Sequence, residues 1–251
     1  MGKFALTGVA ISFAIAATAS ADVLYGMDIS DGSIFTLDTS NGQLDKFFGH
    51  GVNNFGGLDF DAAGNLYMEQ FGALSKIDLG GGGDTQIGNN GLALESFTIL
   101  GNTPYSADVF DGNMYNIDLN NASASLLGSY GDTNTRICDL ADDDANRIWG
   151  VRIFQQDVIQ IDPATGANLG VVASGLPANV TSLAYGSNNN LWFIPAFETT
   201  LYSLDLGNGQ ITAVLQGLNV THVTGLTSRV PAPGSAALLA VAGLAATRRR
   251  R

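Results

Sequence analysis

One pair of markers recurs five times along the chain at a nearly constant interval, and that repetition constrains the fold more than any composition figure. Five segments open on an aliphatic or proline residue followed by an aromatic one: Leu24-Tyr25, Leu66-Tyr67, Pro104-Tyr105, Ile148-Trp149 and Leu191-Trp192. The aromatic positions lie 42, 38, 44 and 43 residues apart. Each is followed by an aliphatic-Asp pair at Leu37-Asp38, Ile77-Asp78, Ile117-Asp118, Ile161-Asp162 and Leu204-Asp205. Two independent markers sharing one period identify a repeat architecture.

Within each repeat the apolar residues alternate with polar ones over short runs, as in Ser33-Ile34-Phe35-Thr36-Leu37-Asp38. That is the strand period. The second and third runs are joined by stretches such as Asp38 to Gln43, Asp162 to Ala167 and Asp205 to Gln210. There an aspartate can cap its own backbone and a glycine can take positive φ. A fourth run stands at Phe55 to Phe60, Ser96 to Leu100, Ile137 to Leu140, Val180 to Ala184 and Val223 to Thr227. Four strands per repeat of about 42 residues, with no helix in the body, predict an all-β fold: a β-propeller of five four-stranded blades. The body begins with the aromatic strand and ends with the strand that elsewhere precedes it. The C-terminal strand is therefore expected to complete the N-terminal blade and close the ring over residues 22–229. The five marker aromatics are expected between blades and the recurrent aspartates in turns.

The stretch Gly57-Leu58-Asp59-Phe60-Asp61-Ala62-Ala63-Gly64-Asn65-Leu66-Tyr67, with weaker copies at Ser182 to Trp192 and Asp139 to Trp149, resembles the junctions of NHL, YWTD and regucalcin-like propellers. The resemblance implies the propeller fold and leaves function open. It also supplies the enzymatic alternative, a glycosidase or lactonase working from inner-strand carboxylates. Asp59, Glu95 and Asp139 are the candidates, one from each of three blades. The loop holding Asp139, Asp142, Asp143 and Asp144 has the oxygen chemistry for calcium without the spacing of an EF-hand. No cofactor is otherwise expected.

Charge narrows the partners. Lys3 and Arg248 to Arg251 are five of the eleven basic residues, so the body between them holds six against all 23 acidic residues, a net −17. Such a surface repels nucleic acid and anionic lipid and is compatible with cations, neutral glycans or basic proteins. Cys138 is the lone cysteine, so no disulfide forms within the chain, and it is expected to be a small buried hydrophobe. His50 and His222 are the two histidines, too few for a paired-histidine zinc site.

Both termini read as addresses. Lys3, the apolar run Phe4 to Ala17 and the small residues Ala19 and Ala21 predict a signal peptide over residues 1–21, cut by signal peptidase before Asp22. Residues 230–251 run from Pro231, Ala232 and Pro233 through an apolar stretch to Arg248, Arg249, Arg250 and Arg251. That order resembles a PEP-CTERM sorting signal. It implies a hydrophobic C-terminal helix held in the membrane by its arginines and cleavage near the proline motif by an exosortase-like protease. A central glutamate is usual there and Ala232 replaces it. The expected product is an exported protein, tethered transiently and then resident in the cell envelope or extracellular matrix, acting as a non-enzymatic binding or structural module toward a glycan or envelope protein. The alternative is an extracellular hydrolase.

Overall fold

The computed structural model describes residues 22–228 other than 82, 132, 133 and 144. These form five four-stranded antiparallel sheets. The first contains β1 (Val23–Asp28), β2 (Ser33–Asp38), β3 (Leu44–Phe48) and the last strand of the chain, β20 (Val223–Ser228). The second is β4 (Gly56–Phe60), β5 (Leu66–Gln70), β6 (Ala73–Ile77) and β7 (Thr85–Asn89). The third is β8 (Thr98–Leu100), β9 (Thr103–Ala107), β10 (Asn113–Ile117) and β11 (Ala124–Ser129). The fourth is β12 (Ile137–Asp142), β13 (Ile148–Arg152), β14 (Asp157–Ile161) and β15 (Asn168–Ser174). The fifth is β16 (Ala184–Gly186), β17 (Asn190–Phe193), β18 (Leu201–Asp205) and β19 (Ile211–Leu215). The protein is thus a five-bladed propeller, with β4, β8, β12, β16 and β20 innermost.

Two details depart from the sequence reading. The fifth inner strand covers only Ala184–Gly186, with Val180 joined to Pro195 by a single bridge, because Thr181 and Ser182 turn their hydroxyls onto the carbonyls of Val223 (2.6 Å) and Ile194 (2.9 Å). Among the described residues a single 3-10 turn, Ser187–Asn189, is the one helical element.

The ring closes where the two ends meet. β20 pairs antiparallel with β1, setting Leu24 opposite Ser228 and Asp28 opposite Val223. Asp22 adds a second tie, accepting the Trp192 indole N–H at 2.8 Å from the fifth blade. The core consists of five clusters, each built from two adjacent blades, and each marker aromatic falls in a different one. Trp192 packs with Leu24, Phe35 and Leu37; Trp149 with Leu183 and Phe193; Tyr105 with Ile137 and Ile148; Tyr25 with Leu58 and Leu66; Tyr67 with Phe97 and Ile99. The alternation of each strand aims one face at the preceding blade and one at the next, which is why one large ring per repeat fills the wedge between sheets. The five recurrent aspartates cap the hairpins: Asp38, Asp78, Asp118, Asp162 and Asp205 each accept the N–H two residues on, at 2.7–2.9 Å.

The blades define two faces. The loops entering the inner strands and the loops joining the second strand of each blade to the third lie on one, here called the entry face. Leu24 and Ser228, paired with each other near the two ends of the described chain, lie on the opposite, exit face.

Candidate functional site

The predicted carboxylates divide into two groups. Asp139, wholly buried, sits on the propeller axis and receives three backbone N–H groups: its Oδ2 accepts Leu183 at 2.7 Å and Leu226 at 2.9 Å, and its Oδ1 accepts Leu140 at 3.0 Å. It therefore joins the fourth blade to the fifth and the first. Asp59 does the same from the second blade, accepting Ile99 N–H at 2.7 Å and the Thr227 hydroxyl at 2.6 Å, with the Thr98 hydroxyl oxygen 3.1 Å away. Between them the two aspartates tie all five blades. Glycine lets the strands come this close: a Cβ on Gly57 would stand 2.3 Å from the Phe97 nitrogen and 3.0 Å from Asp139 Oδ1. Glu95 lies away from this pair, toward the entry face, where its Oε2 accepts two N–H groups of Arg136. Glu69, which the sequence reading passed over, is wholly buried and accepts the Gly72 N–H and, at 3.4 Å, the Ser106 hydroxyl. No three of these carboxylates converge on an open cleft.

Burial pushes the carboxyls of Asp139 and Glu69 well above their ordinary range, and it raises Asp59 and Glu95 as well. At Asp139 the three backbone donors oppose that rise and the nearby Asp59 charge adds to it. A carboxyl that holds its proton more tightly when folded contributes its full stabilisation below the unfolded value, 3.8 for Asp and 4.5 for Glu, and loses it as pH rises through the folded value. The exposed turn aspartates Asp38, Asp118 and Asp162 are shifted down by their hydrogen bonds, so their contribution is present above 3.8 and lost below it. Stability should accordingly peak in mild acid. The urea midpoint is expected to fall as pH rises above the ordinary carboxylate values of 3.8 and 4.5, and to fall less in Asp139→Asn. A midpoint that rises there would contradict the assignment.

The calcium loop is not assembled as a site. Asp139 is on the axis, Asp142 accepts the Thr98 hydroxyl at 2.7 Å, and Asp143 is taken up by Arg147 and by the N–H of Ala145. Asp144 lies outside the described residues, and among those described no three ligating side chains are placed to hold a metal. Burial raises the Cys138 thiol to about 12, which suits a packed side chain and not a nucleophile. The predicted signal peptide with Ala19 and Ala21, and the sorting motif with Pro231, Ala232, Pro233 and Arg248 to Arg251, also lie outside the described residues. A cleft of about 640 Å³ opens between the first two blades, lined by Tyr25, Phe60, Asn65, Lys76 and Asp78. None of the proposed catalytic carboxylates reaches it.

The entry face carries what the sequence reading missed. Phe71, Phe110, Phe154 and Phe197 occupy the loop between second and third strands in four consecutive blades, four or five residues after each marker aromatic. Three of them are largely in solvent: Phe110 is 66% exposed, Phe154 67% and Phe197 68%. Phe71 and Phe197 adopt positive φ, 47° and 67°, a conformation that costs a bulky residue free energy. In return each donates its N–H to the loop entering the next blade, Phe71 to Leu94 at 2.9 Å and Phe197 to Thr221 at 2.7 Å. A second aromatic group fills the centre of the same face. The His222 ring lies 4.4 Å from Phe197 and 5.3 Å from Phe55, and the Arg136 guanidinium stands over Phe55 at 5.5 Å. Burial, against the pull of Asp28, keeps His222 below its ordinary value, so the ring is neutral at pH 7. Glu95, Arg136, Phe55, His222 and Phe197 come from five different blades. Aromatic side chains thus stand together at Phe55, His222 and Phe197 on this face, and exposed phenylalanines project from three of its five loops between second and third strands.

No family model matches the chain, and no curated protein matches it in sequence. Solved structures do match in fold. A chain from the nidogen/laminin complex superposes with a TM-score of 0.59 at 15% identity, over 83% of this chain and 98% of that one. A structural-genomics protein of unknown function from Bacteroides thetaiotaomicron gives 0.56 at 16% identity, over 81% of this chain and 61% of its own length. A catalytically inactive virginiamycin B lyase from Staphylococcus aureus, solved with quinupristin, gives 0.51 at 12% identity, over 82% and 71%. What this chain shares with all three is the β-propeller fold.

Proposed function

We propose that this protein is an exported, non-enzymatic binding module of the cell envelope or extracellular matrix, and that it engages a macromolecular partner through its entry face. The observation that carries the reading is the set of phenylalanines repeated at one loop position in successive blades, three of them about two-thirds exposed. Their position is not demanded by the core, which the marker aromatics already fill. Against a hydrolase stands the occupancy of its candidate groups: Asp59 and Asp139 are engaged in tying inner strands, and Glu95 is paired with Arg136. The PEP-CTERM-like tail fits the same picture. The described chain ends on the exit face, so a tether continuing from Ser228 would leave the aromatic face directed away from the membrane. An exosortase-like cut near Pro231 to Pro233 would then release the body into the matrix.

Two measurements test this. The intact mass of protein recovered from the native envelope and medium should correspond to a chain from Asp22 to near Pro233; a chain retaining Arg251 would make the tail a permanent anchor. The purified body, added back to envelope from the same host, should bind, and the combined Phe110→Ser, Phe154→Ser and Phe197→Ser variant should lose most of that binding. Turnover of a polysaccharide or lactone that disappears in Asp59→Asn while the fold persists would favour the hydrolase instead.

A further inference from the structure

We infer that the partner of the entry face is a cationic polypeptide segment, in which lysine or arginine side chains alternate with apolar ones; this deepens the binding-module reading and rests on it. Charge complementarity at the scale of single loops selects this partner. Phe110 stands between Asp108 and Asp111, and Phe197 is followed by Glu198. None of these three carboxylates has a cationic partner among the described residues. Asp108 accepts the N–H groups of Phe110 (2.8 Å) and Asp111 (3.3 Å), and Glu198 accepts the Tyr202 hydroxyl at 3.1 Å. By contrast the cations of this face are already engaged: Lys46 with Asp28 and Asp31, Arg136 with Glu95, and Arg152 with Asp157 through two bonds of 2.7 and 2.6 Å. The Phe110 and Phe197 loops thus each set an exposed aromatic ring beside a carboxylate without a cation, Asp111 and Glu198, and among the described residues neither loop carries a free positive charge. An ammonium or guanidinium group is attracted both to the ring and to the carboxylate, and its aliphatic stem covers the exposed edge of the ring.

The same electrostatics disfavours the other occupants. A second copy brings a body of equal net charge, −17, onto this one, and anionic lipid or acidic polysaccharide meets the same repulsion. A neutral glycan would gain nothing from Asp111 or Glu198 as charges. The apolar residues of the proposed segment answer the central group of Phe55, His222 and Phe197, where the neutral imidazole and the paired Arg136 leave little net field.

The probe is a synthetic peptide alternating arginine with leucine, compared with one in which serine replaces every leucine, titrated against the purified body at low and at physiological salt. The leucine peptide should bind the more tightly, and the Phe110→Ser, Phe154→Ser, Phe197→Ser variant should weaken it by at least about tenfold. Asp111→Asn with Glu198→Gln should weaken it about three- to fivefold and flatten its salt dependence. Equal binding of both peptides, undiminished by the phenylalanine changes, would reduce the effect to bulk charge and overturn the inference. If native envelope binding needs the phenylalanines but ignores both Asp111 and Glu198 and the salt, the face stands as the binding site and the cationic partner falls. If envelope binding ignores the phenylalanines as well, the binding-face reading itself is lost.

Discussion

Asp139→Ala lowers the stability of the propeller by about 3–5 kcal/mol, the largest loss expected from any single side chain on the axis. Alanine leaves the N–H groups of Leu183 and Leu226 without acceptors in a site that water does not reach, and it opens a void where three blades meet. Asp139→Asn keeps one acceptor oxygen and should cost less than half as much, because one amide oxygen can still receive both of those donors. The measurement is the urea midpoint of each variant, with an exposed control such as Asp45→Ala expected to match the parent. The pair also separates structure from catalysis. A general base or nucleophile at this position would give variants of parental stability without turnover, and the bonding of Asp139 predicts the reverse.

Removal of Val223 to Ser228 abolishes cooperative folding of the ring. Without β20 the first blade has three strands, and β1 presents an unpaired edge in the middle of the ring, the arrangement most prone to pairing with other chains. The loss reaches beyond one sheet. Asp139 loses the Leu226 donor, Asp59 loses the Thr227 hydroxyl, and the Gly56 N–H and carbonyl lose Thr224, 3.3 and 3.2 Å away. The truncated chain should elute as aggregate and show no sharp thermal transition. A soluble monomer with an intact transition would mean that four blades and a partial fifth suffice, and that the closure at β1 is dispensable. The corresponding cut at the outer edge of a blade, within β15, should be far milder, since most of that strand is exposed and only Ala173 is buried in it.

Several features were legible in the sequence because they are local. The blade number followed from the period of the aromatic and Asp markers, and each marker has a job that its own neighbours set. A hairpin aspartate bonds an N–H two residues away, and an aromatic ring in an alternating strand must face the next sheet. Ring closure was legible for a related reason: the strand order at the two termini leaves one blade short and one strand unmatched. The glycine of the Gly57-Leu58 motif was visible as a pattern, but its cause was not. That cause is contact with Phe97 and Asp139, which are remote along the chain.

The carboxylates show where such reading stops. Asp59 and Asp139 lie on inner strands as the sequence suggested, Glu95 lies in the loop before β8, and the sequence offered all three as a catalytic set. Their hydrogen bonds reach partners separated by as many as 168 residues, and those partners are mainly backbone amides, which every residue carries and which no side-chain pattern announces. The phenylalanines of the entry face had a signal in the sequence, the same period as the marker aromatics. Yet an aromatic residue four or five places after another reads as more core until the turn between strands is known to bring it into solvent. The sequence by itself determined the repeat, the strand pattern, the turns and the excess of negative charge, all set by residues close together or by simple sums. Only the tertiary structure decided which carboxylates are braces and which aromatics are exposed. Both depend on how five sheets converge on one axis, and that convergence brings together atoms from all five blades.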